Sequence, residues 1–112
     1  MNKIGFNVLA WSASVSDDLK PIIERLKEIG YDGVEFFVGS PDAKAYKEIG
    51  EFTANAGLES STVFVLGPDE NPIDADAKVR SKALDKMKWT IDRSNDLGAK
   101  VICGPFHSAF ST

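Results

Sequence analysis

Polar, aromatic and glycine residues stand near the ends of four apolar segments in this 112-residue sequence. We predict that each segment is a parallel strand. Ligands of parallel α/β proteins lie outside the carboxyl ends of the strands. The residues at these ends are Asn7, Trp11, Glu35, Gly67, Gly104, Phe106 and His107. Aromatic rings pack on the apolar face of a sugar ring, and glycine lets a ligand approach the backbone. The set therefore favours binding of a small polar ligand.

Each of these residues also has a purely structural explanation. A carboxylate inside an apolar run is costly to bury without a partner, so Glu35 faces either the site or the solvent at its rim. His107, the single histidine, could be a surface residue, and Trp11 could cap the mouth of a barrel. Gly67 and Gly104 could be turn glycines. As a working hypothesis, we expect Trp11, Glu35 and His107 to surround one shared hollow.

Two kinds of catalytic centre are disfavoured. Cys103 lies close to His107, as a nucleophile and its base would, but it belongs to an apolar run and we interpret it as a buried core residue. A divalent metal needs three or four convergent ligands, and the strand ends supply only Glu35 and His107. We expect this chain to hold no metal tightly by itself.

Three glycines predict where the helices and strands that position these residues lie. Gly30, Gly57 and Gly98 each stand between a helical pattern and an apolar run. Glycine accepts the left-handed backbone that closes a helix, so each marks a helix end before a strand. The predicted strands cover residues 4–9, 34–38, 61–66 and 101–104.

The third helix is predicted over residues 76–97. Its spacing places one apolar stripe on the inward side, made by Val79, Ala83, Leu84, Met87 and Ile91. Trp89 projects from nearly the opposite side, where it either packs against a neighbouring helix or contacts another subunit.

Strand starts separated by roughly 27–40 residues are typical of parallel βαβ units. Such units build either an open doubly wound sheet or an eightfold barrel. The glycine-rich dinucleotide fingerprint is absent after the first strand, which argues against the open sheet. A complete barrel needs about 250 residues. We therefore predict an α/β fold of (β/α) TIM-barrel type, in which residues 1–112 are the N-terminal half of one domain, truncated after the fourth strand.

Composition restricts the classes of function. The apolar fraction of 43% and the charged fraction of 27% are ordinary for a globular protein, and the net charge of −4 disfavours nucleic-acid binding. There is no apolar stretch of about 18 residues and no signal-peptide cleavage site, so we expect neither a membrane span nor secretion. With a single cysteine and no such signal, a cytoplasmic location is the default.

Several motifs, in their order and spacing, resemble the sugar phosphate isomerase/epimerase family, the xylose isomerase-like TIM barrels. The motifs are MNKIG at residues 1–5 followed by Trp11, IGYDGVE at 29–35, NAGL at 55–58 and LGAKVICG at 97–104. Within that family the chain is most similar to the D-tagatose/D-psicose 3-epimerase branch. The resemblance covers only the N-terminal half of such an enzyme.

The resemblance implies a metal-dependent isomerase that epimerises a ketose. In this family Mn²⁺, Mg²⁺ or Co²⁺ polarises the carbonyl, one glutamate removes the neighbouring proton, and another returns a proton to the opposite face through a cis-enediolate. The glutamates and metal ligands belong to later strands. We therefore expect no catalytic residue within this chain, and we expect the chain alone to be inactive.

The resemblance also implies substrate contacts. By matched position, the pocket residues are Asn7, Trp11, Gly67 and Gly104. Asn7 replaces an aromatic residue that epimerases often carry there. Glu35 matches an acid that recurs at the end of the second strand and is expected to position substrate. Phe106 and His107 lie in the variable fourth loop and are candidate substrate contacts.

The implied partner is a small sugar or sugar phosphate, and we expect a homo-oligomer. A different class of function is a self-standing half-barrel for binding or assembly, which would dimerise to cover its open edges and inner face. Within the superfamily, an apurinic endonuclease type is an alternative, and it would require histidine ligands at the ends of strands three and four. A type similar to inosose dehydratase or hydroxypyruvate isomerase is a further alternative.

Overall fold

A computed structural model describes residues 2–110. Four parallel strands form one sheet in the order β1-β2-β3-β4, with bounds Gly5–Asn7, Gly33–Phe37, Glu59–Val63 and Ile102–Cys103. The helices α1 (Lys20–Ile29), α2 (Ala43–Asn55) and α3 (Ala77–Asp96) connect consecutive strands. The predicted α/β architecture with parallel strands is confirmed.

Glycines end all three helices, as the sequence predicts. The φ angles of Gly30, Gly57 and Gly98 are 113°, 81° and 75°. At the other ends of α2 and α3, the carboxylates of Asp42 and Asp76 accept backbone N–H groups from the first turn. Both ends of these helices therefore have local hydrogen-bond partners that fix where each helix begins and stops.

The helices cover one face of the sheet. Val34 and Phe36 of β2 are at most 2% exposed and belong to one buried cluster with Ile23 of α1 and Ile49 of α2. Because successive strand residues point to opposite faces, Glu35 between them points away from the helices. We call this opposite side the inner face; by register and alternation it carries Gly5, Asn7, Gly33, Glu35, Phe37, Glu59, Ser61, Val63 and Cys103.

All four strands differ from their predicted bounds, and the largest differences are in β1 and β3. β1 stops at Asn7 because the Asn7 side chain accepts the Leu9 N–H at 2.9 Å, which starts a 3-10 turn over Val8–Ala10. β3 begins at Glu59, before the predicted residue 61, because Gly33 of β2 already pairs with Glu59. Register with β2 sets the start of β3, and a single sequence does not display register.

The predicted inward stripe of α3 is partly wrong. Leu84 and Ile91 are 52% and 56% exposed, whereas Ala83, Thr90 and Ser94 are buried. The Ser94 hydroxyl lies 2.7 Å from the Thr62 hydroxyl of β3, so a polar pair joins this helix to the sheet. Ile91 instead lies near Ile102 of β4, at the open edge of the sheet.

Trp89 packs within the molecule. Its ring meets the Tyr46 ring of α2 edge-on, with centroids 5.8 Å apart, and it is partly buried against the core. Of the two interpretations of Trp89, packing against a neighbouring helix is therefore confirmed.

The buried Tyr46 phenol gives the fold a pH-dependent contribution to stability. Its hydroxyl donates to the Ser40 carbonyl oxygen at 2.7 Å. Burial raises the pKa of Tyr46 above its ordinary value of 10.0, so the unfolded chain ionises first as pH rises. The stability from this group is present below pH 10.0 and is lost as pH rises towards the raised pKa of the folded state.

We predict that Tyr46→Phe lowers the free energy of unfolding by about 1 kcal/mol at pH 7, because one hydrogen bond is lost. Above pH 10.0 the variant should lose stability less steeply than the parent. Urea unfolding at several pH values measures both effects. If the free energies of unfolding of the two proteins fall equally steeply above that pH, Tyr46 is not the source of the pH dependence.

In residues 2–110, no helix combines the length and apolar character needed to cross a membrane.

Candidate functional site

Three polar side chains from three strands meet on the inner face. Strand register places Asn7, Glu35 and Ser61 side by side across β1, β2 and β3. The Asn7 amide donates to Glu35 Oε1 at 3.1 Å, and the Ser61 hydroxyl donates to Glu35 Oε2 at 2.8 Å. We call these residues the inner-face triad. Both carboxylate oxygens are held, so the Glu35 side chain is fixed from either side.

The triad offers a ligand more acceptors than donors. The Asn7 carbonyl oxygen is already used by the Leu9 N–H, and one Asn7 N–H is used by Glu35. One Asn7 N–H, the Ser61 oxygen and the second lone pair of each carboxylate oxygen remain for a ligand. Such a set suits hydroxyl groups, which both donate and accept, and it disfavours an anion.

The loops that follow the strands are tied to one another. The Ser40 hydroxyl, after β2, accepts a hydrogen bond at 3.1 Å from the Val15 N–H, which lies in the loop after β1. The same hydroxyl lies 3.2 Å from the Tyr46 hydroxyl. Asn71, 7% exposed in the loop after β3, accepts the Ala109 N–H from the segment after β4 at 3.1 Å. These cross-links join neighbouring loops on the carboxyl side of the sheet.

The two predicted pocket glycines have different surroundings. The Gly67 N–H donates to the Glu70 carboxylate at 3.2 Å, so it starts a local turn. Gly104 has a φ of 132°, and a Cβ there would lie 2.1 Å from the Phe64 carbonyl oxygen. Gly104 is therefore required for the close approach of two backbones, a structural reason that differs from the turn considered in the sequence analysis.

The predicted aromatic contacts lie at the two edges of the sheet. Trp11 is 55% exposed, and the centroid of its ring lies 4.8 Å from that of the Phe6 ring. The Trp11 side chain also lines a hollow along α1 with Ile22 and Leu26. Phe106 stacks on Phe64 with centroids 5.0 Å apart. Each ring therefore has an apolar neighbour on the side of the sheet that carries the helices.

The three residues expected around one hollow lie against different parts of the molecule. Trp11 lies along α1, Glu35 lies in the inner-face triad, and His107 is exposed in the loop after β4. The structure thus brings Asn7 and Glu35 together directly. A ligand that touches all three predicted residues would have to reach across the carboxyl side of the sheet.

Cys103 is exposed, so its interpretation as a buried core residue is wrong. It pairs with Val63 in the ladder between β3 and β4, at the open edge of the sheet. Alternation places it on the inner face, which the helices do not cover. The apolar run around it predicted a strand correctly but did not distinguish the two faces of that strand.

The residues present do not fit a divalent metal. Within the part of the chain that the structure describes, no three His, Cys, Asp or Glu side chains are close enough to hold an ion together. Both oxygens of Glu35 already receive hydrogen bonds from Asn7 and Ser61. A metal centre therefore requires ligands from elsewhere.

Ser61 is the site residue that sequence reasoning missed. It begins the predicted third strand, but a lone serine in a strand is an ordinary residue. Only the register of β2 and β3 places it opposite Glu35. A weak signal exists in hindsight, since an acid inside a buried run requires polar partners on neighbouring strands.

Comparison with known proteins identifies the fold. The family model for the xylose isomerase-like TIM barrel matches residues 23–111. An L-ribulose 3-epimerase structure superposes with a TM-score of 0.87 at 24% identity over 97% of this chain. A D-psicose 3-epimerase solved in the presence of D-fructose gives 0.83 at 20% identity over 99%, and one from Clostridium cellulolyticum H10 with D-tagatose gives 0.82 at 19% over 96%.

The chain covers 37%, 39% and 38% of those three structures, respectively. No curated protein sequence matches it. At these identities the solved structures establish the fold, and the fold is that of one part of a barrel.

Proposed function

The chain belongs to the xylose isomerase-like TIM barrel family, and we propose that it forms the N-terminal half of a ketose 3-epimerase. In this proposal the inner face lines the sugar site, and the remaining strands come from outside residues 1–112. The chain covers 37% and 39% of two epimerase structures, which supports its being one part of a longer barrel.

The observation that carries the proposal is the inner-face triad. A barrel enzyme gathers substrate contacts from several neighbouring strands towards their carboxyl ends. Asn7 is the last residue of β1, and Glu35 and Ser61 lie beside it at the middle of β2 and β3. Glu35 would accept a hydrogen bond from a sugar hydroxyl, and the free Asn7 N–H would donate a hydrogen bond to an oxygen of the same sugar. Gly67, Gly104, Trp11, Phe106 and His107 stay candidate contacts at the rim.

The role proposed for this chain is binding and orientation. A divalent ion would polarise the ketose carbonyl when bound, but the described residues do not form its site. The proton-transferring carboxylates and the metal ligands are therefore assigned to the part outside this chain. Residues 1–112 alone are expected to be inactive, and a homo-oligomeric state and a cytoplasmic location stay predictions.

The charge of the loops favours a neutral sugar over a sugar phosphate. The segments that follow the strands, residues 8–19, 38–42, 64–76 and 104–110, contain no Lys or Arg. They carry Asp17, Asp18, Asp42, Asp69, Glu70, Asp74 and Asp76. A phosphate is normally bound by basic side chains or by free backbone N–H groups, and Glu70 occupies the N–H of Gly67. The same acidic loops disfavour an apurinic endonuclease, which must bind a phosphate backbone.

Solvent exchange tests the proposal. The complete protein, supplied with Mn²⁺ in D₂O, should incorporate deuterium at C3 of D-psicose or D-tagatose as it epimerises the sugar. The corresponding ketose phosphates serve as the comparison, and residues 1–112 alone serve as the inactive control. Exchange confined to the phosphates would contradict the neutral-sugar assignment, and no C3 exchange with any ketose would contradict the epimerase itself.

A further inference from the structure

The segment after β4, residues 104–110, contains no helix or strand, yet it is attached to the segment after β3 at several points. Near its start, the Phe106 ring stacks on the Phe64 ring with centroids 5.0 Å apart. At its end, the Phe110 N–H donates to the Leu66 carbonyl oxygen at 2.8 Å. The loop is therefore held on both sides of its central residues.

Asn71 adds a side-chain contact to this segment. Its Oδ1 atom accepts the Ala109 N–H at 3.1 Å and the Ile73 N–H of its own loop at 3.3 Å. Asn71 is 7% exposed and Ala109 is 5% exposed, so water competes little for this acceptor. The Ile73 contact fixes the orientation of the Asn71 amide, and that orientation presents Oδ1 to the segment after β4. One buried oxygen thus joins the two loops.

The segment that Asn71 holds carries two of the predicted substrate contacts. His107 is exposed and Phe106 is 37% exposed, so a ligand can reach both side chains. Loops on the carboxyl side of the strands supply the ligand contacts of barrel enzymes. A loop that is already fixed loses less conformational freedom when the ligand binds, which raises affinity. Without the Asn71 oxygen, the buried Ala109 N–H would lose this acceptor and the loop would be held less firmly.

We infer that Asn71 is a positioning residue for substrate binding, one that fixes residues 104–110 so that Phe106 and His107 are in place when the ligand arrives. Asn71 acts through this segment rather than by touching the ligand. The property required at position 71 is the acceptor oxygen, because both described hydrogen bonds of the side chain use it. The inference rests on the proposed function, since a ketose is the ligand that tests it.

Two variants of similar size test the inference in the complete protein, with Mn²⁺ and the better of D-psicose and D-tagatose as substrate. Asn71→Leu removes the acceptor and should raise KM at least about fivefold, with kcat within about twofold of the parent. Asn71→Asp keeps the acceptor and should bring KM back to within about twofold of the parent. The matched control is Asn55→Leu, the same change at the exposed end of α2, which should leave KM unchanged.

Amide hydrogen exchange gives a second readout that does not depend on turnover. In Asn71→Leu, the Ala109 and Phe110 amides should exchange at least about tenfold faster than in the parent, while the amides of β2 keep the parent's rates. In Asn71→Asp, both amides should stay protected. If Asn71→Leu does not fold, Asn71→Ala replaces it with the same expected results.

Three results would overturn the inference: a parent-like KM without the acceptor, an equally raised KM in Asn71→Asp, or equal acceleration of exchange in β2, which would mean a general loss of stability. Failure of the proposed function looks different, because the parent itself would then turn over no ketose. In that case exchange alone decides whether Asn71 fixes residues 104–110. Local acceleration supports this role, and unchanged exchange refutes it.

Discussion

Gly104→Ala is expected to lower the free energy of unfolding by about 3 kcal/mol. The new Cβ would lie 2.1 Å from the Phe64 carbonyl oxygen, and the φ of 132° is one that alanine rarely adopts. Neither backbone can yield easily, because the Phe64 N–H is bonded to the Cys103 carbonyl oxygen at 3.1 Å. Urea denaturation of the parent and the variant measures the loss.

Gly98→Ala is the matched control for this prediction. Gly98 also has a positive φ, 75°, but nothing lies within 4 Å of the position that its Cβ would take. Its replacement should cost only about 1 kcal/mol, from backbone conformation alone. If the two variants lose equal stability, the close approach at Gly104 is not what requires glycine there.

The second large effect concerns the complete enzyme. Glu35→Ala should lower kcat/KM for the ketose by roughly 10- to 100-fold, since hydrogen bonds to a charged group contribute about 1.5–3 kcal/mol each. We expect most of the loss in KM, because the proposed role of Glu35 is to position the sugar. The removal also leaves the Asn7 and Ser61 donors without their described acceptor. Steady-state kinetics with a thermal unfolding curve for each protein separates binding from folding.

Glu59→Ala is the control for this second prediction. Glu59 lies on the same inner face, but at the amino end of β3, where its partner is Lys3. Active sites of these barrels lie at the opposite end, so its removal should leave kcat/KM unchanged. Equal losses for the two variants, or a Glu35→Ala enzyme with unaltered KM, would argue against a substrate contact at Glu35.

Much of the fold could be predicted from local sequence signals. Gly30, Gly57 and Gly98 end their helices because the left-handed backbone there suits glycine, and this needs no knowledge of the rest of the molecule. Apolar runs separated by helix-length segments then predict parallel strands, and the family match confirms the TIM-barrel type. These signals are local or periodic, which is why a single sequence carries them.

The site depends on relations that the sequence does not display. Ser61 joins Glu35 only through the register between β2 and β3. Cys103 is exposed because it lies on the uncovered face at the sheet edge, and the periodicity of a two-residue strand is too short to reveal that face. Phe106 stays a predicted ligand contact, and the stacking of its ring on Phe64 is a further contact that the sequence does not display. Tertiary pairing decided each of these positions.

The length of the natural protein distinguishes one part of a larger barrel from a self-standing half-barrel. Mass spectrometry of the intact protein, purified from cells that express its own gene, gives that length without any assumption about activity. We expect one polypeptide of roughly 250 residues or more, enough for the remaining strands of the barrel. A natural protein that ends at residue 112 and is stable by itself would contradict it.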